Sequence, residues 1–126
     1  MNKETYLKKL DELELDKSRY CIISGGAMLM HGLKETTNDI DIKVLSSYFE
    51  ELKERFTFNK SPKFDYLYEL GDEIELAVQD FKDEDVEFVD GYPVEQLEIE
   101  LQWKIEHKRD KDKEAIEKIK AYLASK

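Results

Sequence analysis

Hydrophobic and polar positions follow two different periods along the chain. In KETYLKKLDELEL, Tyr6, Leu7, Leu10 and Leu13 fall on one helical face. RYCIIS is a short apolar run rich in β-forming residues and reads as a buried strand. GGAMLMHG follows as one or two helical turns, opened by Gly25-Gly26 and stopped by Gly32. DIDIKV alternates strictly, with Ile40, Ile42 and Val44 facing one way and Asp39, Asp41 and Lys43 the other. SSYFEELKERF is an amphipathic helix, with Ser47 and Glu50 at capping-box spacing.

Two further alternating runs, FDYLYEL and EIELAVQDF, meet at Gly71-Asp72 and read as a β-hairpin. DVEFVDGYPV carries Asp90-Gly91, a second turn signal. Between Glu95 and His107 the two periods compete. Leu97, Ile99, Leu101, Trp103 and Ile105 alternate as in a strand, yet Leu97, Leu101 and Ile105 also form a helical stripe. We expect a helix. Ile99 and Trp103 then make a second apolar edge, expected to contact a protein partner or a second copy of the chain. KEAIEKIKAYLA closes the sequence as a helix with Ile116, Ile119 and Leu123 inward. The order predicts an α/β (α+β) fold in one domain, residues 1–126, with a small mixed sheet packed by helices.

Composition narrows the partners. A chain that is 40% hydrophobic and 40% charged can bury a real core beneath a heavily charged surface. Its 30 acids against 20 bases, a net charge of −10, argue against non-specific DNA binding, which needs a basic footprint. No apolar run approaches the ~20 residues of a bilayer span, so no membrane partner is expected. Met1 to Leu15 alternates charge with leucine and lacks the apolar stretch of a secretory signal. Cys21 is the single cysteine, which fits a reducing cytoplasm and an inert buried thiol. KIEHKRDKDK gathers basic residues near the end of the chain; by itself it reads as a solvated helix end.

Asp39 and Asp41 share one strand face, their Cα atoms about 6–7 Å apart. Two unpaired carboxylates this close repel, and a divalent metal would satisfy both. Alone, Asp-x-Asp in a chain with 30 acids is a solvated acidic strand face. The glycines change the balance. Gly25 and Gly26 follow a strand and open a short helix, so backbone N–H groups point at whatever docks there, and Ser24 adds a hydroxyl. Alone, that pair is a tight turn. Together, the two features point to a phosphate–metal site.

SGGAMLMHGLKETTNDIDI resembles the small bacterial nucleotidyltransferases of the superfamily that includes DNA polymerase β. Ser24, Gly25, Gly26, His31, Gly32, Thr37, Asp39 and Asp41 match the motif, and Lys104, Arg109, Lys111 and Asp112 match a late helix of these relatives. The chain departs from the pattern at Lys34-Glu35, where relatives carry an arginine. The resemblance implies transfer of a nucleoside monophosphate from an NTP to an acceptor hydroxyl, with Mg²⁺ (or Mn²⁺) as cofactor. It implies that Asp39 and Asp41 bridge the metals. It also implies a third carboxylate, for which DEIELAVQD offers Glu75 first, then Glu73 and Asp80. Ser24, Gly25, Gly26 and Thr37 would bind the nucleotide, with Lys104 and Arg109 reaching its triphosphate.

The acceptor (a small molecule, a tRNA end or a protein hydroxyl) and the base preference have no readable motif. Three other readings stay open: the nucleotidyltransferase-fold partner of a toxin–antitoxin pair, a non-catalytic nucleotide- or metal-binding module, and an acidic interaction protein without a site. His31 is read as structural.

Overall fold

The computed structural model describes residues 1–126. Its elements are α1 (Lys3–Asp11), β1 (Tyr20–Ile22), α2 (Ser24–Met30), β2 (Ile40–Val44), α3 (Ser46–Leu52) and β3 (Asn59–Lys60). They continue with β4 (Leu67–Leu70), β5 (Ile74–Val78), β6 (Val86–Val89), β7 (Tyr92–Glu95), α4 (Leu97–His107) and α5 (Lys113–Ala124). Seven strands form one sheet in the order β3-β4-β5-β2-β1-β7-β6. The β2–β5 and β1–β7 pairs are parallel and the other pairs antiparallel, so the sheet is mixed.

Strand alternation divides the sheet into two unlike faces. Ile22, Ile40, Ile42, Val44, Leu76 and Val94 bury against Tyr6 and Leu10 of α1, Leu29 of α2, and Phe49 and Leu52 of α3. The opposite face keeps Asp41, Lys43, Glu75 and Glu95. A smaller core, Met28 with Leu97 and Ile119, fastens α4 and α5 to α2. No helix is long and apolar enough to cross a membrane.

Both predicted hairpins form. Asp90 and Gly91 have φ of +53° and +86°, the left-handed pair that a two-residue hairpin turn requires. The contested segment from Leu97 is helical, because Leu97 and Leu101 find the second core while the alternating positions have no strand to pair with. Ile105, expected on the same stripe, is 42% exposed.

The Ser47–Glu50 capping box does not form. Leu45 is the N-cap of α3, and Asp80 caps the helix instead, accepting from Ser46 N at 2.8 Å and Ser46 Oγ at 3.0 Å. A carboxylate across the sheet reaches the free N–H groups first. The two-residue strand β3 has no counterpart in the predicted elements; both its residues are exposed and carry no apolar pattern.

Candidate nucleotide and metal site

The polar face of the sheet follows from the alternation of β2: with Ile40, Ile42 and Val44 in the core, Asp41 and Lys43 must stand opposite. Parallel register sets Glu75 of β5 beside Asp41. Asp39 precedes the strand and is exposed. All three line a cleft of about 450 Å³, within the roughly 300–1,000 Å³ of small-ligand sites.

Asp41 is the electrostatically stressed member. Burial raises its pKa from the ordinary carboxylate range to about 7, and the charges of Glu75 and Asp39 push the same way, against Lys63 and Lys104. A cation would reverse that stress. The donors are hard carboxylate oxygens that do not close into a finished cage of three ligands. Such an open set suits Mg²⁺, which keeps several waters and takes oxygens from a bound phosphate.

Of the carboxylates considered as a third ligand, Glu75 alone lines the cleft. Glu73 pairs with Lys9 of α1 at 2.6 Å, and Asp80 caps α3. Glu75 has a partner of its own: Lys63 Nζ donates to its Oε1 at 3.1 Å.

The two glycines do different work. A Cβ on Gly25 would lie 2.7 Å from Thr37 Oγ1 and 3.6 Å from Lys34 Nζ, so this glycine lets the Lys34–Thr37 loop close over the head of α2. A Cβ on Gly26 would meet Tyr6 Oη at 2.2 Å and Ile22 Cγ2 at 2.7 Å. Gly26 is buried and lies outside the cleft lining, and its missing side chain serves packing. Ser24 heads α2 with φ of +56°, and its N–H donates to Glu100 Oε1 at 3.0 Å. The Ser24 amide is thus engaged by a side chain of α4, whereas the contact expected of Ser24 is through its hydroxyl.

Lys104 and Arg109 both line the cleft and both turn to Asp112. Arg109 Nε donates to Asp112 Oδ2 at 2.7 Å, and Lys104 Nζ lies 3.6 Å from Oδ1. Burial opposes the charge on Asp112, but the Arg109 hydrogen bond and the nearby Lys104 hold its carboxyl below the usual range.

No family model matches the chain, and no curated protein matches it. The structure is similar to the crystal structure of a candidate nucleotidyltransferase from Thermotoga maritima, with a TM-score of 0.67 at 21% sequence identity. The similarity covers 100% of this chain and 97% of the other. The fold is nucleotidyltransferase-like.

Around that fold the cleft has features the sequence did not announce. Lys43 pairs with buried Glu95, and burial, with a hydrogen bond to Glu95, raises the pKa of Glu100 well above the carboxyl range. Lys43, Glu95, Glu100 and the Ser24 amide therefore form one polar chain from sheet to helix. In a sequence with 30 acids, nothing distinguishes Glu95 and Glu100 beforehand. Lys43 was legible, since it shares the face of Asp41. Although the chain as a whole is acidic, the cleft lining carries six basic side chains against six acidic ones.

Ile99 and Trp103 line this cleft. His31 is fully engaged elsewhere: Nδ1 lies 2.9 Å from Ala27 O, and Nε2 pairs with Glu87. Cys21 is buried, which pushes its thiol pKa up and leaves it unreactive.

Proposed function

We propose that this chain transfers a nucleoside monophosphate from an NTP to an acceptor hydroxyl. The observation that carries the proposal is the placement of Asp41 and Glu75 as register partners, with Asp39 close by, on a nucleotidyltransferase-like fold. In the reaction, an acceptor oxygen forms a bond to the α-phosphorus as the bond to the α–β bridging oxygen breaks. Pyrophosphate leaves, and the hydroxyl proton passes to a cleft base or to water.

Asp39, Asp41 and Glu75 would hold Mg²⁺ or Mn²⁺, which when bound supplies charge compensation to the reacting oxygens. The chain's own residues set the rest. Burial of Asp41 strengthens its attraction for a cation over bulk solvent. Lys34, beside Gly25, lies in the region where the family this sequence resembles carries an arginine, and offers a cation to the phosphates. Lys104 and Arg109 add charge from α4 and the turn after it, steadied by Asp112.

Incubation with an α-labelled NTP, Mg²⁺ or Mn²⁺, and separate pools of small-molecule, tRNA and protein acceptors tests this directly. Label should enter one pool with the wild type and none with Asp41→Asn. Absence of transfer to every pool would contradict the proposal.

The second reading is a non-catalytic nucleotide-binding module. The Lys63–Glu75 and Arg109–Asp112 pairs favour it, because groups that would serve the ligand are engaged within the chain. Metal-dependent nucleotide binding without label transfer is its signature. The toxin–antitoxin reading drew on the acidic surface and on a spare apolar helix edge; of the two, the edge lines the cleft.

A further inference from the structure

One wall of the cleft is aromatic. Phe64 and Tyr66, in the segment between β3 and β4, stack with ring centroids 5.3 Å apart and planes 15° from parallel. Phe64 meets Trp103 of α4 edge-on at 6.1 Å. Trp103 is fixed from two sides: His107 stacks on it at 3.7 Å, and the Arg109 guanidinium lies 4.5 Å from its ring centroid. Ile99, one turn before Trp103, extends the same wall.

We infer that this wall is the nucleobase subsite, with Phe64 and Tyr66 holding the base of the nucleotide by stacking and Trp103 by apolar contact alongside. The inference rests on the nucleotidyl-transfer reading and deepens it.

The charge pattern favours a base over other occupants. The cleft brings carboxylates and cations together with a patch of flat apolar side chains. A ligand that uses both must carry an anionic, cation-binding end and an aromatic end. A nucleoside triphosphate has both. Inorganic phosphates lack the second, and an apolar peptide lacks the first.

The segment carrying Phe64 also carries Lys63, whose ammonium rests on Glu75. One stretch of chain therefore touches the carboxylate floor and the aromatic wall at once. A base against Phe64 and a triphosphate over Asp41 and Glu75 would be gripped from the same side. Stacking tolerates every base, so the wall predicts a requirement for a base with little discrimination among bases.

Trp103 is the only tryptophan, which makes its fluorescence lifetime a direct reporter. Wild type and Phe64→Leu are titrated with Mg²⁺ and ATP, Mg²⁺ and CTP, and Mg²⁺ and tripolyphosphate, with binding followed in parallel by calorimetry. Both nucleotides should shorten the Trp103 lifetime and tripolyphosphate should not. Phe64→Leu should weaken both nucleotides about five-fold or more while leaving tripolyphosphate unchanged. Nucleotide binding by calorimetry with an unchanged lifetime and no effect of Phe64→Leu would overturn the base subsite alone. A lifetime change with tripolyphosphate equal to that with ATP would also overturn it, because Trp103 would then be reporting an anion near Arg109. Failure of all three ligands to bind would remove the nucleotidyl-transfer reading together with the subsite.

Discussion

Asp41 on β2 and Glu75 on β5 are direct partners in parallel register, and the charge of Glu75 is among the causes that raise the Asp41 pKa to about 7. The fold therefore holds two carboxylates side by side, and burial penalises the charge of Asp41. A strand face built only for solubility has no reason to bury one of them.

The first expectation concerns pH. The folded-state pKa of Asp41 is raised, so the folded protein takes up a proton that the unfolded chain has already released. Its destabilising contribution is absent below about pH 4, grows as pH rises, and is complete above about pH 7. Without metal, the wild type should lose melting temperature across that window. Asp41→Asn should lose less, and should equal or exceed the wild type at pH 8. Parallel pH dependence in the two proteins would show that Asp41 is not stressed.

The glycines should separate. Gly26→Ala forces a Cβ onto Tyr6 and Ile22 and should destabilise the fold by about 1–3 kcal/mol, read from denaturant unfolding. Gly25→Ala meets the Thr37 hydroxyl and the end of the Lys34 side chain, both in a surface loop and not in the core. It should unfold near the wild-type midpoint yet bind nucleotide more weakly. Equal stability losses at the two positions would contradict this division.

Lys63 neutralises Glu75 and also adds favourable charge toward Asp39 and Asp41. Lys63→Gln should tighten binding of Mn²⁺ alone, by a few-fold at most because the lysine side chain is 61% exposed. Titration followed by the Mn²⁺ spin-resonance signal reads this directly. Weaker Mn²⁺ binding in Lys63→Gln would mean that the lysine orders the site.

Arg109→Ala breaks the hydrogen bond to buried Asp112, leaving Lys104 as its charge partner. A loss of about 1.5–3 kcal/mol is expected in unfolding. If Arg109 also serves the phosphates, the variant should bind a nucleoside triphosphate more weakly relative to the monophosphate. Equal losses for the two nucleotides would confine Arg109 to its ion pair.

The parts of this structure that were legible are those in which one local rule dominates. Strict alternation in DIDIKV placed Asp41 on a free face, and Asp90-Gly91 announced its turn. Helical spacing gave Glu95–His107 a second apolar edge, and that edge exists. Its destination was hidden, because the alternation of FDYLYEL reads Phe64 and Tyr66 as part of a strand, whereas β4 starts only at Leu67 and leaves both in the irregular segment that meets Trp103. Glu100, and the burial of Lys104, were invisible for another reason. Charged residues are expected outside, and only tertiary partners, the Ser24 amide and Asp112, account for their burial. Asp80 illustrates the same limit: a cap from across the sheet overrides a local capping pattern.

Asp39, Asp41 and Glu75 are proposed to form a cation-dependent nucleotide site. Thermal melts of wild type and Asp41→Asn in four buffers (bare, Mg²⁺, NTP, and both) decide it. Binding to the folded state raises the melting temperature by mass action. In the wild type, Mg²⁺ and NTP together should raise it by more than the two separate shifts combined, and Asp41→Asn should lose most of that excess. A wild type whose two shifts merely add would contradict the account.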